Sequence, residues 1–351
     1  MSNISEPHSH DHANGTAPVL VEVTRGSMVE SRHRGHAAVV DADGRVVIAV
    51  GDTETVIYPR SAIKPLQAIP FIESGATEAY GLNDTEIALA CASHFGESRH
   101  VKLVSDWLRR VGLGTTDLSC GAHWPSCPEA ARTLARTGQR PSAVHNNCSG
   151  KHAAMLTTAL HLGEPTQDYV EWAHPVQQRI LGLMEQLGGL DLSSAPRGVD
   201  GCSIPVYGIP LGNLALAFAR FADPAQLPPA RAAAATRVRT AMASEAWLVA
   251  GTGSFGTEVI EVTEADAIVK TGAEGVFCAA LPKLGLGVAV KIEDGATRAA
   301  EITLAAILHK LEVIDTARAL SLADRMTAPS HNWNGIRVGE IRPTTTLVKL
   351  P

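Results

Sequence analysis

Apolar residues alternate with polar ones near the two ends of the chain and recur at helical spacing through its middle. From Pro18 to Val56 the runs VLVEV, HAAVV and VVIAV follow one another, and the last two are joined by DADG, a hairpin signal. Between about residues 61 and 243 the apolar positions fall three and four apart in SAIKPLQAIPFIE, DTEIALACA, SRHVKLVSDWLRRVG, PEAARTLART, KHAAMLTTALHL, HPVQQRILGLMEQLG, LGNLALAFARFA and ARAAAATRVRTAMA. Gly, Pro, Asp or Ser bounds most of these segments, as helix ends require. Strand patterns return in TEVIEV, AIVKT, VFCAAL and GVAVKIE, and a long Ala-rich helix, TRAAEITLAAILHKL, follows.

This order predicts an α+β fold, with an antiparallel sheet built from N- and C-terminal strands around a helical middle region. The expected organisation is a single unit over 18–351, its sheet part at 18–60 and 245–351 and its helical part at 61–244. Residues 1–17 are polar, carry His8, His10 and His12, lack a periodic apolar face and are predicted to be a disordered tail. In such an architecture the groove between sheet and helices is the natural site for a small molecule.

Composition narrows the partners. With 351 residues and 45% hydrophobic content the chain can bury a large core. A net charge of −6 and a pI near 6.2 give no electrostatic reason for a nucleic acid or an anionic membrane as partner, so a small polar substrate fits better. No apolar run reaches the roughly eighteen residues of a membrane helix, and the N-terminus lacks a signal-peptide pattern, so a cytoplasmic location is expected. Six cysteines without framework spacing fit free thiols in a reducing compartment.

Three constellations carry candidate chemistry. In YPRSAIKPLQ, Ser61 and Lys64 stand at i and i+3 and share a face if a helix begins at about Ser61. A lysine there activates a serine only if burial or nearby positive charge, such as Arg60 and the helix terminus, lowers its pKa. The plain alternative makes Ser61 an N-cap and Lys64 a solvated first-turn residue. IVKTGAEGVF places Lys270, Thr271 and Gly272 in a strand pattern, and a KTG triplet with Ser-x-x-Lys is the signature pair of penicillin-recognising serine enzymes. Their third element, SDN, is missing, because Ser105 and Asp106 precede Trp107 within a helix. ACASHFGE adds Ser93 and His94 at the end of an apolar helix. Thr271–Gly272 as a turning strand end and Ser93 as a helix terminus are the plain readings; taken together, the set favours function. In the third constellation, HNNCSGKHAAML carries Cys148 and Lys151 on one helical face, with His152 beside them, and VDGCSIPVYGIP carries Asp200 and Cys202. Thiolates suit zinc, and two ordinary buried cysteines are the alternative.

SAIKPLQA, ACASHFGE, HNNCSGKHAAML, VDGCSIPVYGIPL, KTGAEGV and KIEDGATRA, in that order, resemble the asparaginase II family, the class 3 or rhizobial-type L-asparaginases, over nearly the whole chain. The resemblance implies a homodimeric enzyme of serine β-lactamase/glutaminase-like fold that hydrolyses L-asparagine to L-aspartate and ammonia. It pairs Ser61 with Lys64 and Ser93 with Lys270, Lys291 being the fallback for the second lysine. It makes Cys148, Lys151 and Cys202 the ligands of one zinc ion, Zn2+, with a water completing the site and Asp200 nearby. Arg60, His94, Asp200, Thr271 and Gly272 are the expected substrate-binding residues. Ser61 is the expected nucleophile, with Ser93 as the alternative attacker or a proton relay. A glutaminase or another serine amidohydrolase on the same scaffold is the rival activity.

Overall fold

The computed structural model describes residues 17–350. The tail expected over 1–17 therefore falls, apart from Ala17, outside the described residues. Ala17 itself is buried, and its carbonyl accepts a hydrogen bond from Arg34 Nη1 at 2.7 Å.

The sheet takes strands from both ends of the chain: β1 (Val19–Arg25), β2 (Met28–Asp41), β3 (Val46–Val50), β4 (Ile268–Thr271), β5 (Val276–Leu281), β6 (Leu286–Ile292), β7 (Ala328–His331) and β8 (Arg337–Pro343). Their order is β7-β8-β1-β2-β6-β5-β4, with β3 also paired to β2, and every pairing is antiparallel. Strand β2 joins the two halves of the sheet: residues 28–34 pair with β1, and residues 35–41 lie between β3 and β6. Gly35 stands at this switch, where a Cβ would collide with the carbonyl of Lys291. The DADG turn forms as expected, with Asp41 Oδ1 accepting from the amides of Asp43 and Arg45 and Gly44 at φ +91.

Between these strands run α1 (Lys64–Gln67), α2 (Asp84–Ala90), α3 (Ser149–His161), α4 (Pro175–Gly188), α5 (Leu211–Ala222) and α6 (Pro229–Ser244); α7 (Phe255–Val262) and α8 (Thr297–Lys310) come after them. Asn83 starts α2 with a full capping box: its side chain accepts from Thr85 N, and Glu86 reaches back to the Asn83 amide. Helix α3 is buried continuously from Ser149 to Ala159, so it is a central element with no solvent face over that stretch.

Strand β5 is buried at every position, and β6 nearly so. Both faces of the sheet are therefore covered there. One helix cannot cover both, and α5 and α8 both pack against these strands. The contact with α5 is unusually close at Gly287, where a Cβ would collide with backbone atoms of Ala215, Phe218 and Ala219.

Two local expectations change. TEVIEV is not a strand but most of α7, because Ser254 caps it by accepting from Thr257 N and buries Val259 and Ile260 on one side while Glu258 and Glu261 stay less buried. Six residues of such a pattern satisfy either period. The helix expected at Ser61 begins at Lys64 instead, since Arg60–Ile63 form a 3₁₀ turn and Pro65 fits the first turn of α1. The helical region also contains short strand pairs, Arg197–Val199 with Pro205–Tyr207 and Val56–Ile57 with Ile209–Pro210.

Gly287→Ala should destabilise the protein by about 1–3 kcal/mol, because α5 must move off the sheet to admit one methyl group. Urea denaturation of the variant measures this, and an unchanged midpoint would refute so tight a contact.

Candidate active site

Ser61 sits on the 3₁₀ turn that leads from the strand Val56–Ile57 into α1. Arg60, just before it, has φ +51, a left-handed conformation that costs a non-glycine residue about 1 kcal/mol or more. Its Nε donates to Asp200 Oδ1 at 2.5 Å, which holds the strained residue in place. The end of β4 rests directly on this turn at Gly272, where a Cβ would lie 3.0 Å from Ala62 N and 3.2 Å from Pro59 O. A side chain at 272 would push strand and turn apart.

Ser93 lies just beyond α2, where the chain becomes extended and pairs with residues 249–250: Ser93 N donates to Val249 O at 2.9 Å and Phe95 N to Ala250 O at 2.8 Å. Helix α2 is pressed onto α3 at Gly150, where a Cβ would collide with the Leu89 carbonyl. This contact brings Ser93 close to the first turn of α3, with its Asn147, Cys148 and Lys151.

The three elements meet at one hydroxyl. Ser93 Oγ is 2.9 Å from Lys64 Nζ and 2.9 Å from Lys270 Nζ. Both lysines are fully buried. Lys64 Nζ also donates to Ala92 O at 2.6 Å and lies 3.4 Å from Asn147 O. Lys270 Nζ donates to Thr271 O at 2.7 Å. Burial, and then the charge of Lys64, holds the Lys270 amine well below the ordinary lysine range, against the smaller opposing pull of Cys148 and Cys91. Lys270 is thus predisposed to be a proton acceptor.

Ser93 and Ser61 open onto a cavity of about 390 Å³, whose lining includes Asn147, Thr271, Gly272 and Glu301. Among the described residues none hydrogen-bonds Ser61 Oγ, so the expected Ser61–Lys64 contact is replaced by Lys64–Ser93. The solvated reading of Lys64 fails on its burial. Lys291 does not reach Ser93: its Nζ donates to Glu274 O at 2.5 Å, and it lines a different cavity, of about 440 Å³, together with Arg60.

Of the expected substrate-binding residues, Thr271 and Gly272 line the serine cavity, while Arg60, His94 and Asp200 do not. Arg60 and Asp200 bind each other. His94 is buried; its Nδ1 accepts from Gly96 N at 3.1 Å, so Nε2 carries the proton toward Ser149 Oγ at 2.8 Å. Burial keeps this ring neutral, well below the ordinary histidine range. Its geometry orients the loop after Ser93.

A second cluster joins α3 to the hairpin loop at 200–204. Lys151 Nζ is 3.0 Å from Cys202 Sγ, Cys202 Sγ is 3.3 Å from Asp200 Oδ2, and Cys148 Sγ is 3.0 Å from Asn147 Oδ1. The hydrogen bond from Cys202 holds the Cys148 thiol well below its usual value despite burial, aided by the charges of Lys64 and Lys151. Cys202 is pushed up by that same bond and by burial. Burial works against the Lys151 ammonium, but Cys148 and Cys202 outweigh it and raise its pKa. Among the described residues there is no group of three or more His, Cys, Asp and Glu side chains that could hold a metal ion. The expected ligand set differs in containing a lysine.

Sequence reasoning passed over Glu301 and Asn147. Asn147 stands inside the quoted HNNCSG, and Glu301 is an acidic residue in an otherwise Ala-rich helix, which was the available signal.

Fold and site define an α+β protein whose cavity is floored by a serine hydroxyl between two buried lysines. The family model described as L-asparaginase II matches residues 21–343, and the chain belongs to that family, amidohydrolases of asparaginase type. No curated protein sequence matches it significantly. Among solved structures, two described as Mglu, one of them in its native form in 4.3 M NaCl, are 15% and 14% identical with TM-scores of 0.44 and 0.45. The matches cover 80% and 82% of this chain and 67% and 63% of the Mglu chains, about two thirds of their length. A beta-lactamase from Mycobacterium bovis is 15% identical with a TM-score of 0.41, over 83% of this chain and 95% of that one. No helix among the described residues is long and apolar enough to cross a membrane.

The buried amine has a measurable cost. Because the pKa of Lys270 is depressed in the folded state, its burial costs stability at low pH, and that stability is recovered as pH rises from the folded pKa toward 10.5. Lys270→Met should be more stable at pH 7, by about 0.5–2 kcal/mol. That gain should shrink as pH approaches 10; thermal melts at several pH values check it, and a variant less stable at pH 7 would contradict it.

Proposed function

We propose that this protein hydrolyses L-asparagine to L-aspartate and ammonia through a serine acyl-enzyme. The observation that carries the reading is Ser93 Oγ, held 2.9 Å from both Lys64 and Lys270 on the wall of a cavity that also exposes Ser61.

Ser61 is the nucleophile in this reading. Among the described residues its hydroxyl has no hydrogen-bond partner, and it opens on the cavity, which leaves Ser93 to relay the proton to Lys270. Ser61 Oγ adds to the side-chain amide carbon while its proton passes to Ser93, and Ser93 passes its own to Lys270. The tetrahedral intermediate collapses as the amide nitrogen takes a proton back and leaves as ammonia. Water then enters by the same proton route, breaks the Ser61 ester and releases aspartate. Lys64, a buried neighbour of the same hydroxyl, keeps Ser93 in line.

Cys148, Lys151 and Cys202 are proposed to hold one zinc ion, with a water completing the site and Asp200 beside it. Two thiol sulfurs and an amine that converge in a buried place are donors suited to zinc. An amine or thiol must give up its proton to coordinate a metal ion, so binding releases protons. The zinc would supply positive charge near the cavity, suited to the substrate's carboxylate. The homodimer and the cytoplasmic location expected from the sequence belong to the same proposal; all six cysteines are free, which supports a reducing compartment.

Ser61→Ala should lose at least about a thousandfold in kcat with the fold intact, and Ser93→Ala about a hundredfold to ten-thousandfold. Ammonia release from asparagine and glutamine, together with mass spectrometry of trapped acyl-enzyme, measures this; an adduct on Ser93, or full activity in Ser61→Ala, would remove the assigned nucleophile. Metal analysis should find one zinc per chain. Its affinity should rise with pH as protons are expelled and fall sharply in Cys202→Ser, which titration calorimetry in two buffers would read.

A further inference from the structure

The reaction proposed above consumes a side-chain amide, but its substrate also carries an α-ammonium group, and an enzyme that selects amino-acid amides must hold that charge. Glu301 is the one charged side chain in the lining of the serine cavity. It projects from α8 one turn beyond Thr297, which lines the same cavity.

Glu301 has a partner, but an incomplete one. Arg325 Nη1 donates to Glu301 Oε2 at 3.2 Å. The same guanidinium is committed to Glu258, with Nε to Oε2 at 2.7 Å and Nη2 to Oε1 at 3.1 Å, and Nη2 also donates to Gly253 O at 2.8 Å. Two carboxylates thus share one guanidinium, and the better geometry belongs to Glu258. The cluster keeps one uncompensated negative charge, and among the described residues no donor bonds Glu301 Oε1. Burial, reinforced by the charge of Glu258 and resisted by Arg325, pushes the Glu301 carboxyl above the usual carboxylate range. A half-buried carboxylate of this kind gains from a second cation. Asp200 cannot serve instead, because it is taken by Arg60 and Cys202 and does not line the cavity.

We propose that Glu301 binds the substrate's α-ammonium group through its open oxygen and so restricts the enzyme to amides of α-amino acids. This rests on the asparaginase reading of the cavity. Amides that lack the α-amino group lose that contact and leave the carboxylate with its deficit.

The test uses binding, so that it stands apart from turnover. Calorimetry compares L-aspartate with succinate, the same dicarboxylate without the amine, on the purified full chain and on Glu301→Gln and Glu301→Asp. The wild type should bind L-aspartate about tenfold to a hundredfold more tightly than succinate, the span expected for one charged hydrogen bond. Glu301→Gln should erase that preference while leaving succinate binding and the melting temperature unchanged, and Glu301→Asp should restore part of it. In turnover, Glu301→Gln should raise KM for asparagine with kcat within about threefold, and leave KM for succinamate as it was. No preference in the wild type, or a preference that survives in Glu301→Gln, overturns the proposal. Failure of the wild type to release ammonia from asparagine instead overturns the activity, and is read separately.

Discussion

Everything at the proposed centre depends on placing two lysine side chains without water around a single hydroxyl. An amine is costly to bury, and two facing each other cost more, so at least one is driven toward its neutral form. Burial and the charge of Lys64 push Lys270 that way, and its hydrogen-bond partners are Ser93 and the Thr271 carbonyl. The fold supplies the constraint at backbone level. Gly272 lets the end of β4 touch the Ser61 turn, and Gly150 lets α2 touch α3. Loosening either contact would admit water to the lysines and remove the reason for a neutral amine.

The thiol cluster behind this centre obeys the same electrostatics with opposite signs. Cys148 feels the charges of Lys64 and Lys151 and contributes in turn to the pKa of Lys270. The two clusters are therefore electrostatically linked through Cys148 and Lys270. Arg60 links the cluster back to the Ser61 turn, since its left-handed backbone is held by Asp200.

The cavity itself is nearly neutral apart from Glu301, and its walls are hydroxyls, an amide, backbone and a few rings. Such a lining does not attract a large charged partner. It suits a small zwitterion whose ends are read one at a time, which agrees with the absence of any strong charge excess in the chain.

What the sequence determined by itself were the local matters: strands at both ends, helices between, the DADG turn, and the short motifs that name Ser61, Lys64, Ser93, Lys270, Cys148, Lys151 and Cys202. Periodicity and turn chemistry act over a few residues and can be read there. It could not tell a strand from a helix in TEVIEV, where a cap at Ser254 decided, nor see that the Ser61 turn was 3₁₀. It paired Ser61 with Lys64 because they are three apart, whereas the tertiary structure paired Lys64 with Ser93 across 29 residues and Lys270 with Ser93 across 177. It left Lys270 and Lys291 as alternatives, and β4 carries Lys270 to Ser93 while β6 carries Lys291 to a separate cavity. Which amine is dry, which hydroxyl it meets and which carboxylate is left half-paired are set by packing between distant segments, and burial is a property that no short stretch of sequence possesses.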